Sequence, residues 1–97
     1  MPDDYVIKFH PEFFDDIKKL DKKEKRIVNK LVKKIKQEPT RYKHLHGRGN
    51  CYRVRVGNLR LVYYIDGRTI WFLVAERRDT VYAIYFKRLY NLRQKLK

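Results

Sequence analysis

The sequence has a single cysteine, Cys51, so no internal disulfide can form and a zinc site would lack companion thiols. No apolar run approaches the roughly 18 residues that a membrane-spanning helix requires. The first ten residues, MPDDYVIKFH, carry neither the basic nor the apolar stretch of a secretion signal, so a cytoplasmic protein with no membrane partner is expected. There is no glycine-rich phosphate loop, no paired-histidine metal spacing and no nucleophile elbow. Neither a metal nor an organic cofactor is expected. No segment has the composition of a linker, a repeat or a low-complexity tract.

Negative charge is also scarce: 11 Asp and Glu face 25 Lys and Arg, for a net charge of +14. Such an excess opposes folding through self-repulsion and attracts polyanions over long range. Nucleic acid or an acidic protein is therefore the class of partner to consider. A solvated, lysine-rich surface would carry the same total, and only the placement of the charges separates the two. What is present is enough for one domain spanning 1–97, whose 8 Tyr, 5 Phe and 1 Trp supply core mass that a disordered chain lacks.

Tyr5 to Phe9 is aromatic and β-branched and reads as a strand. Pro11 suits the first turn of a helix, and Phe13, Phe14, Ile17 and Leu20 recur at helical spacing after it. Asp21 and Glu24 have the spacing of a capping box and open a second helix, which turns Ile27, Val28, Leu31 and Ile35 inward. Its lysines, among them Lys22, Lys30 and Lys34, read as a solvated face that adds non-specific attraction. Pro39 ends it, and Thr40 to Asn50 reads as a loop. The period then changes to two: CYRVRV (51–56), LRLVYYI (59–65) and TIWFLVA (69–75) are strands separated by Gly57-Asn58 and Asp66-Gly67, both two-residue hairpin loops by type. After the polar corner ERRDT, residues Tyr82, Tyr85, Leu89, Leu92 and Leu96 mark a last helix. The expected fold is α+β, in the order β-α-α-β-β-β-α, an antiparallel sheet with an N-terminal helical hairpin and a C-terminal helix.

Hairpin geometry sharpens the reading. A Gly57-Asn58 turn pairs Val56 with Leu59, Arg55 with Arg60, Val54 with Leu61 and Arg53 with Val62. One face then carries Val54, Val56, Leu59 and Leu61 toward a core, and the other carries Arg53, Arg55 and Arg60. Like charges directly opposite one another destabilise a sheet. The arrangement is explained if an anion sits between them, because guanidinium groups donate to phosphate in a planar fork. One exposed patch of three arginines is expected. An Asp66-Gly67 turn would place Val62 opposite Trp71 and Arg60 opposite Leu73, leaving an apolar end for the last helix to cover. Arg77 and Arg78 leave the last strand beside the arginines, and Tyr82 follows within a turn. Tyr82 reads either as a packing residue or as a ring on which a base stacks.

The run CYRVRVGNLRLVYYIDG, followed by ERRDTVY and an amphipathic helix, resembles the RelE/ParE toxin superfamily over nearly the whole chain. The resemblance implies the toxin of a type II toxin–antitoxin pair, a ribosome-dependent endoribonuclease that cuts mRNA without a metal. It implies a RelB-like antitoxin, the ribosome and mRNA as partners, and a higher-order toxin–antitoxin complex. In the family, basic residues of the strand accept the proton of the attacking 2′-hydroxyl and stabilise charge on phosphorus. By position these are Arg53, Arg55 and Arg60. A corner arginine serves the leaving oxygen, and Arg77 and Arg78 both fit. Tyr82 falls at the base-stacking tyrosine.

Where ribonuclease members carry lysines, this chain has Arg53 and Arg55. Arginine stays protonated at any working pH and is a poor general base, though a strong stabiliser of negative charge. His44 and His46, just before the strand, have a suitable unperturbed pKa for a base and read otherwise as solvated loop residues. Cys51 reads as a packing residue, and Asp66 and Asp79 as turn and capping residues. Two further readings stand beside the ribonuclease. One is a toxin of the same fold with another target, such as a topoisomerase; the other is a non-catalytic basic RNA-binding module.

Overall fold

A computed structural model describes residues 4–45, 47 and 49–96. The elements are β1 (Val6–Phe9), α1 (Phe13–Lys18), α2 (Lys22–Gln37), β2 (Lys43–Leu45), β3 (Cys51–Val56), β4 (Leu59–Asp66), β5 (Thr69–Glu76) and α3 (Val81–Leu96). The α+β class and the expected order are present, with one short strand more. β2 lies in the Thr40–Asn50 stretch that reads as a loop from its composition, and it forms because Lys43–Leu45 pairs with Cys51–Arg53. Three residues with two basic side chains carry too little β signal to be read in isolation.

The sheet order is β1-β5-β4-β3-β2. It is antiparallel from β2 to β5, and β1 joins its far edge in parallel with β5, Val6 opposite Thr69. The sheet is therefore mixed, because the chain crosses to the opposite edge through α1, α2 and the meander.

α2 starts where the capping box places it: the Asp21 carboxylate accepts from Glu24 N at 2.8 Å, and the Glu24 carboxylate accepts from Asp21 N at 3.1 Å. Its buried residues, Val28, Leu31 and Ile35, join Phe13 against one face of the sheet, where Leu61, Tyr63 and Phe72 meet them. α3 covers the other face, laying Val81, Tyr85, Leu89 and Leu92 over Val62 and Leu73. The sheet is thus the middle of three layers.

The first hairpin has the expected register, with Arg55 opposite Arg60 and Arg53 opposite Val62. The second is shifted. Its turn is Gly67-Arg68 and not Asp66-Gly67, so Asp66 pairs with Thr69 and Tyr64 faces Trp71. Gly67 alone in that turn has a positive φ, of 59°, as a turn with glycine at its first central position requires. The pairing is further offset between Val62 and Tyr63, so Val62 faces Val74 and Arg60 faces Glu76, with Leu73 as the extra residue. Because the turn moved the pairing by two positions, Trp71 and Leu73 keep the face expected for them, and α3 does cover that end.

Where β1 ends, β5 has a bare edge, and a buried ion pair closes it. Asp16 of α1 accepts from Ala75 N at 3.0 Å and from Arg88 of α3 at 2.6 and 3.1 Å, while Arg88 also donates to the carbonyl of Leu73 at 2.7 Å. The helices of the two outer layers are clasped around one strand.

Candidate nucleic-acid interface

Alternation along β3 and β4 puts Arg53, Arg55 and Arg60 on the face that α3 partly covers. There they meet different fates. Arg53 is half-buried, and its Nη1 donates to the hydroxyl of Tyr82 at 2.7 Å. Its Nε is buried without a hydrogen-bond partner among the described residues. Arg55 is exposed and, among the described residues, donates only to the carbonyl of Gly57 at 3.2 Å.

Arg60 departs from the expectation of a three-arginine patch. It is 7% exposed. Its Nη1 donates to the carbonyls of Asn58, at 2.7 Å, and of Arg77. Its Nε lies 2.9 Å from Asp79 Oδ1, near enough for an ion pair though not aligned as a hydrogen bond. The Arg55–Arg60 repulsion is thus relieved from inside the protein, by Asp79 and two carbonyls, and no bound anion is needed to explain it. Asp79, read from sequence as a capping residue, supplies that countercharge.

The two corner arginines separate cleanly. Arg77 turns to the α2 side, where its Nε and Nη2 grip the Glu24 carboxylate at 2.8 and 2.6 Å and Nη2 reaches the carbonyl of Lys19 at 3.1 Å. That fork holds the Glu24 carboxyl below its ordinary pKa, chiefly through the side-chain hydrogen bonds. Arg78 is exposed, with no side-chain hydrogen bond or ion pair among the described residues.

Tyr82 packs its ring against the cluster under α3, as the packing reading has it, and its hydroxyl meets Arg53. His44 pairs with Tyr52, whose ring it meets edge-on at 5.0 Å. Tyr52 in turn stacks on Tyr63, so His44 belongs to the face opposite the arginines. His46 lies outside the described residues. Cys51 is fully buried, and burial pushes its thiol up to about 12, which leaves almost no thiolate near neutrality. Among the described residues no three of His, Cys, Asp and Glu converge where a metal ion could be held. No helix among the described residues is long and apolar enough to cross a membrane.

Sequence reading missed the Asp16–Arg88 pair. The signal was present: both charges sit within apolar stripes, Asp16 between Phe13 and Leu20 and Arg88 between Tyr85 and Leu92. A charge at such a position is rarely left buried alone.

A family model for the ParE toxin of type II toxin–antitoxin systems, parDE, matches residues 7–80. The chain belongs to this family. It lies within the RelE/ParE superfamily, and the arginine hairpin and its corner fall inside the matched span. Solved structures share the toxin fold. Free E. coli toxin RelE, as an arginine-substituted mutant, is 20% identical, with 87% of this chain and 96% of that one aligned at a TM-score of 0.77. The RelB–RelE antitoxin–toxin complex of Methanococcus jannaschii is 24% identical over 80% of this chain and 96% of that one, at 0.67. The RelBE2 toxin–antitoxin complex of Mycobacterium tuberculosis is 28% identical over 76% of this chain and 91% of that one, at 0.59. No curated protein matches the chain.

Proposed function

We propose that this toxin is an endoribonuclease that cuts mRNA on the ribosome, with Arg53, Arg55, Arg78 and Tyr82 as the residues that meet RNA. The observation that carries the reading is the Arg53–Tyr82 hydrogen bond beside an uncompensated Arg55. It joins, at one place, guanidinium groups for a phosphate and a ring for a base. In the reaction the ribose 2′-oxygen forms a bond to the adjacent phosphorus while the bond to the 5′-oxygen breaks. Arg53 and Arg55 offset the charge that builds on the phosphoryl oxygens, and Arg78 that on the leaving oxygen. Arg60 and Arg77 act as positioning residues, since each guanidinium is already held by carboxylates and carbonyls.

Arginine cannot take the 2′-hydroxyl proton, His44 lies on the opposite face, and His10 sits against Asn91, Gln94 and Lys95, at the far end of α3 from Tyr82. The proton therefore passes to solvent, and the cleavage rate rises with pH through neutrality without a break near 6.5. A break there that vanishes in His46→Ala would return the role of base to that residue.

The toxin is held inactive by an antitoxin of complementary charge. Its structural relatives include toxins solved with RelB antitoxins, and its net charge of +14 favours an acidic partner. The deciding experiment is primer extension on a ribosome-bound message with and without the protein: new 3′ ends within the coding sequence are expected. A second reading has a specific observation in its favour, the match to the ParE family itself. Under it the target is a topoisomerase. Uncut message together with inhibited DNA supercoiling by a purified topoisomerase would establish that reading instead.

A further inference from the structure

β2 pairs with β3 only as far as Arg53, so among the described residues the outer edge of β3 from Val54 to Val56 has no neighbouring strand. Between that edge and the C-terminal end of α2 lies a groove of about 620 Å³. Its charged lining is Lys34, Arg41, Lys43, Arg53 and Arg55, against Glu38 alone. None of these five cations makes an ion pair among the described residues. The contrast with other parts of the molecule is marked. Asp16, Glu24 and Asp79, from a scarce supply of carboxylates, neutralise Arg88, Arg77 and Arg60. The groove receives almost none.

We propose that this groove binds the phosphodiester backbone of a single-stranded RNA segment flanking the cleavage site. The assignment rests on the ribonuclease reading and extends it: Lys34, Arg41 and Lys43 are binding residues that hold the strand without touching the reacting atoms. Arg53 is the joint between the two regions, since it lines the groove and also carries the bond to Tyr82. A strand leaving the Tyr82 side would enter the groove at Arg53. Clustered cations on α2, the following loop, β2 and β3 repel one another in the free protein, and a chain of phosphates relieves all of them together. The N–H of Arg55, which by the register points away from β4, adds a donor of the kind that contacts phosphate.

The test is titration of an unstructured RNA oligonucleotide with the full chain over a range of salt. Two triple variants are compared, each removing three exposed positive charges. One is Lys34→Ala/Arg41→Ala/Lys43→Ala in the groove, and the other is Lys22→Ala/Lys23→Ala/Lys30→Ala on the outer face of α2. Loss of three phosphate contacts lowers the slope of log K against log salt by about 2, and affinity roughly 10-fold or more. The control triple leaves the slope as it was. On ribosome-bound message the groove variant raises KM and keeps kcat. Equal weakening by both triples overturns the proposal, because the effect would then be one of net charge. So does a groove variant that binds RNA normally but loses affinity for the antitoxin, which would assign the groove to an acidic protein segment. If the slope falls as expected while wild-type protein cuts no message, the groove stands as an RNA site and the ribonuclease reading fails.

Discussion

Arg55 and Arg60 face one another across a single hairpin, carry the same charge and differ in everything around them. Arg60 is 7% exposed and held by Asp79 and two carbonyls, whereas Arg55 is exposed with one backbone acceptor. The same division runs through the other arginines discussed. Arg77 and Arg88 are gripped by Glu24 and Asp16, while Arg53 has a phenol for a partner and Arg78 has none among the described residues. Clustering of arginine in a sequence therefore marks two different roles. An arginine whose charge is already met by a carboxylate is part of the scaffold; one left unmet is available to a ligand.

The largest effect expected from this division is at Arg88. Removing one partner from a buried ion pair strands the other, so Arg88→Met should cost about 3–5 kcal/mol in chemical denaturation. The double variant Asp16→Leu/Arg88→Met should recover part of the loss. If Arg88→Met unfolds no more easily than wild type, the clasp across β5 is not holding α3.

Arg60→Ala comes next, with a loss of roughly 2–3 kcal/mol for hydrogen bonds from a buried charged group. Cleavage falls with it only as far as the corner is displaced. Arg55→Ala and Arg78→Ala form the opposing pair: thermal stability within about 0.5 kcal/mol of wild type, but cleavage reduced roughly 10- to 1000-fold. Measuring melting temperature and primer extension on all three variants sharpens the comparison. It breaks if Arg55→Ala and Arg60→Ala behave alike in both assays.

The smallest effect is electrostatic and belongs to His10. It is buried, its Nδ1 accepts from Glu12 N at 3.1 Å, and its pKa is lowered below 6.5, first by burial and then by Arg88. Lys95 opposes protonation as well, while Glu12 and Asp16 favour it. The unfolded chain takes up this proton as pH falls through 6.5 and the native state resists it, so stability declines below that pH. His10→Asn, which keeps an acceptor, should flatten the slope. Glu24 acts in a separate window: its carboxyl is held below 4.5, so its contribution is present above that pH and lost as pH falls further. Denaturation midpoints at a series of pH values distinguish the two.

What could be read from the sequence was what depends on neighbours in the chain. The capping box at Asp21 and Glu24, the alternation of β3 and the register around Gly57-Asn58 are local, and all are present as read. The anchoring of Arg60 was not legible because Asp79 reaches it from the far end of β5, with the turn and the extra residue Leu73 in between. A two-residue shift of the second hairpin turned the expected Arg60–Leu73 pairing into Arg60–Glu76, since the extra residue added one more step. The division of Arg77 from Arg78 depended on where α2 lies relative to the corner. No spacing encodes that.

The parallel pairing of β1 with β5 also has a consequence in time. Val6 finds its partner at Thr69, so the first strand to leave the ribosome waits for the last one to be made. The hairpin that carries Arg53, Arg55 and Arg60 closes over two residues and needs no such wait. Loop closure over a long chain segment is slower than closure of a tight turn. In synthesis the arginines are therefore brought into register while the outer edge of β5 is still open. The N-terminal strand seals that edge only at the end.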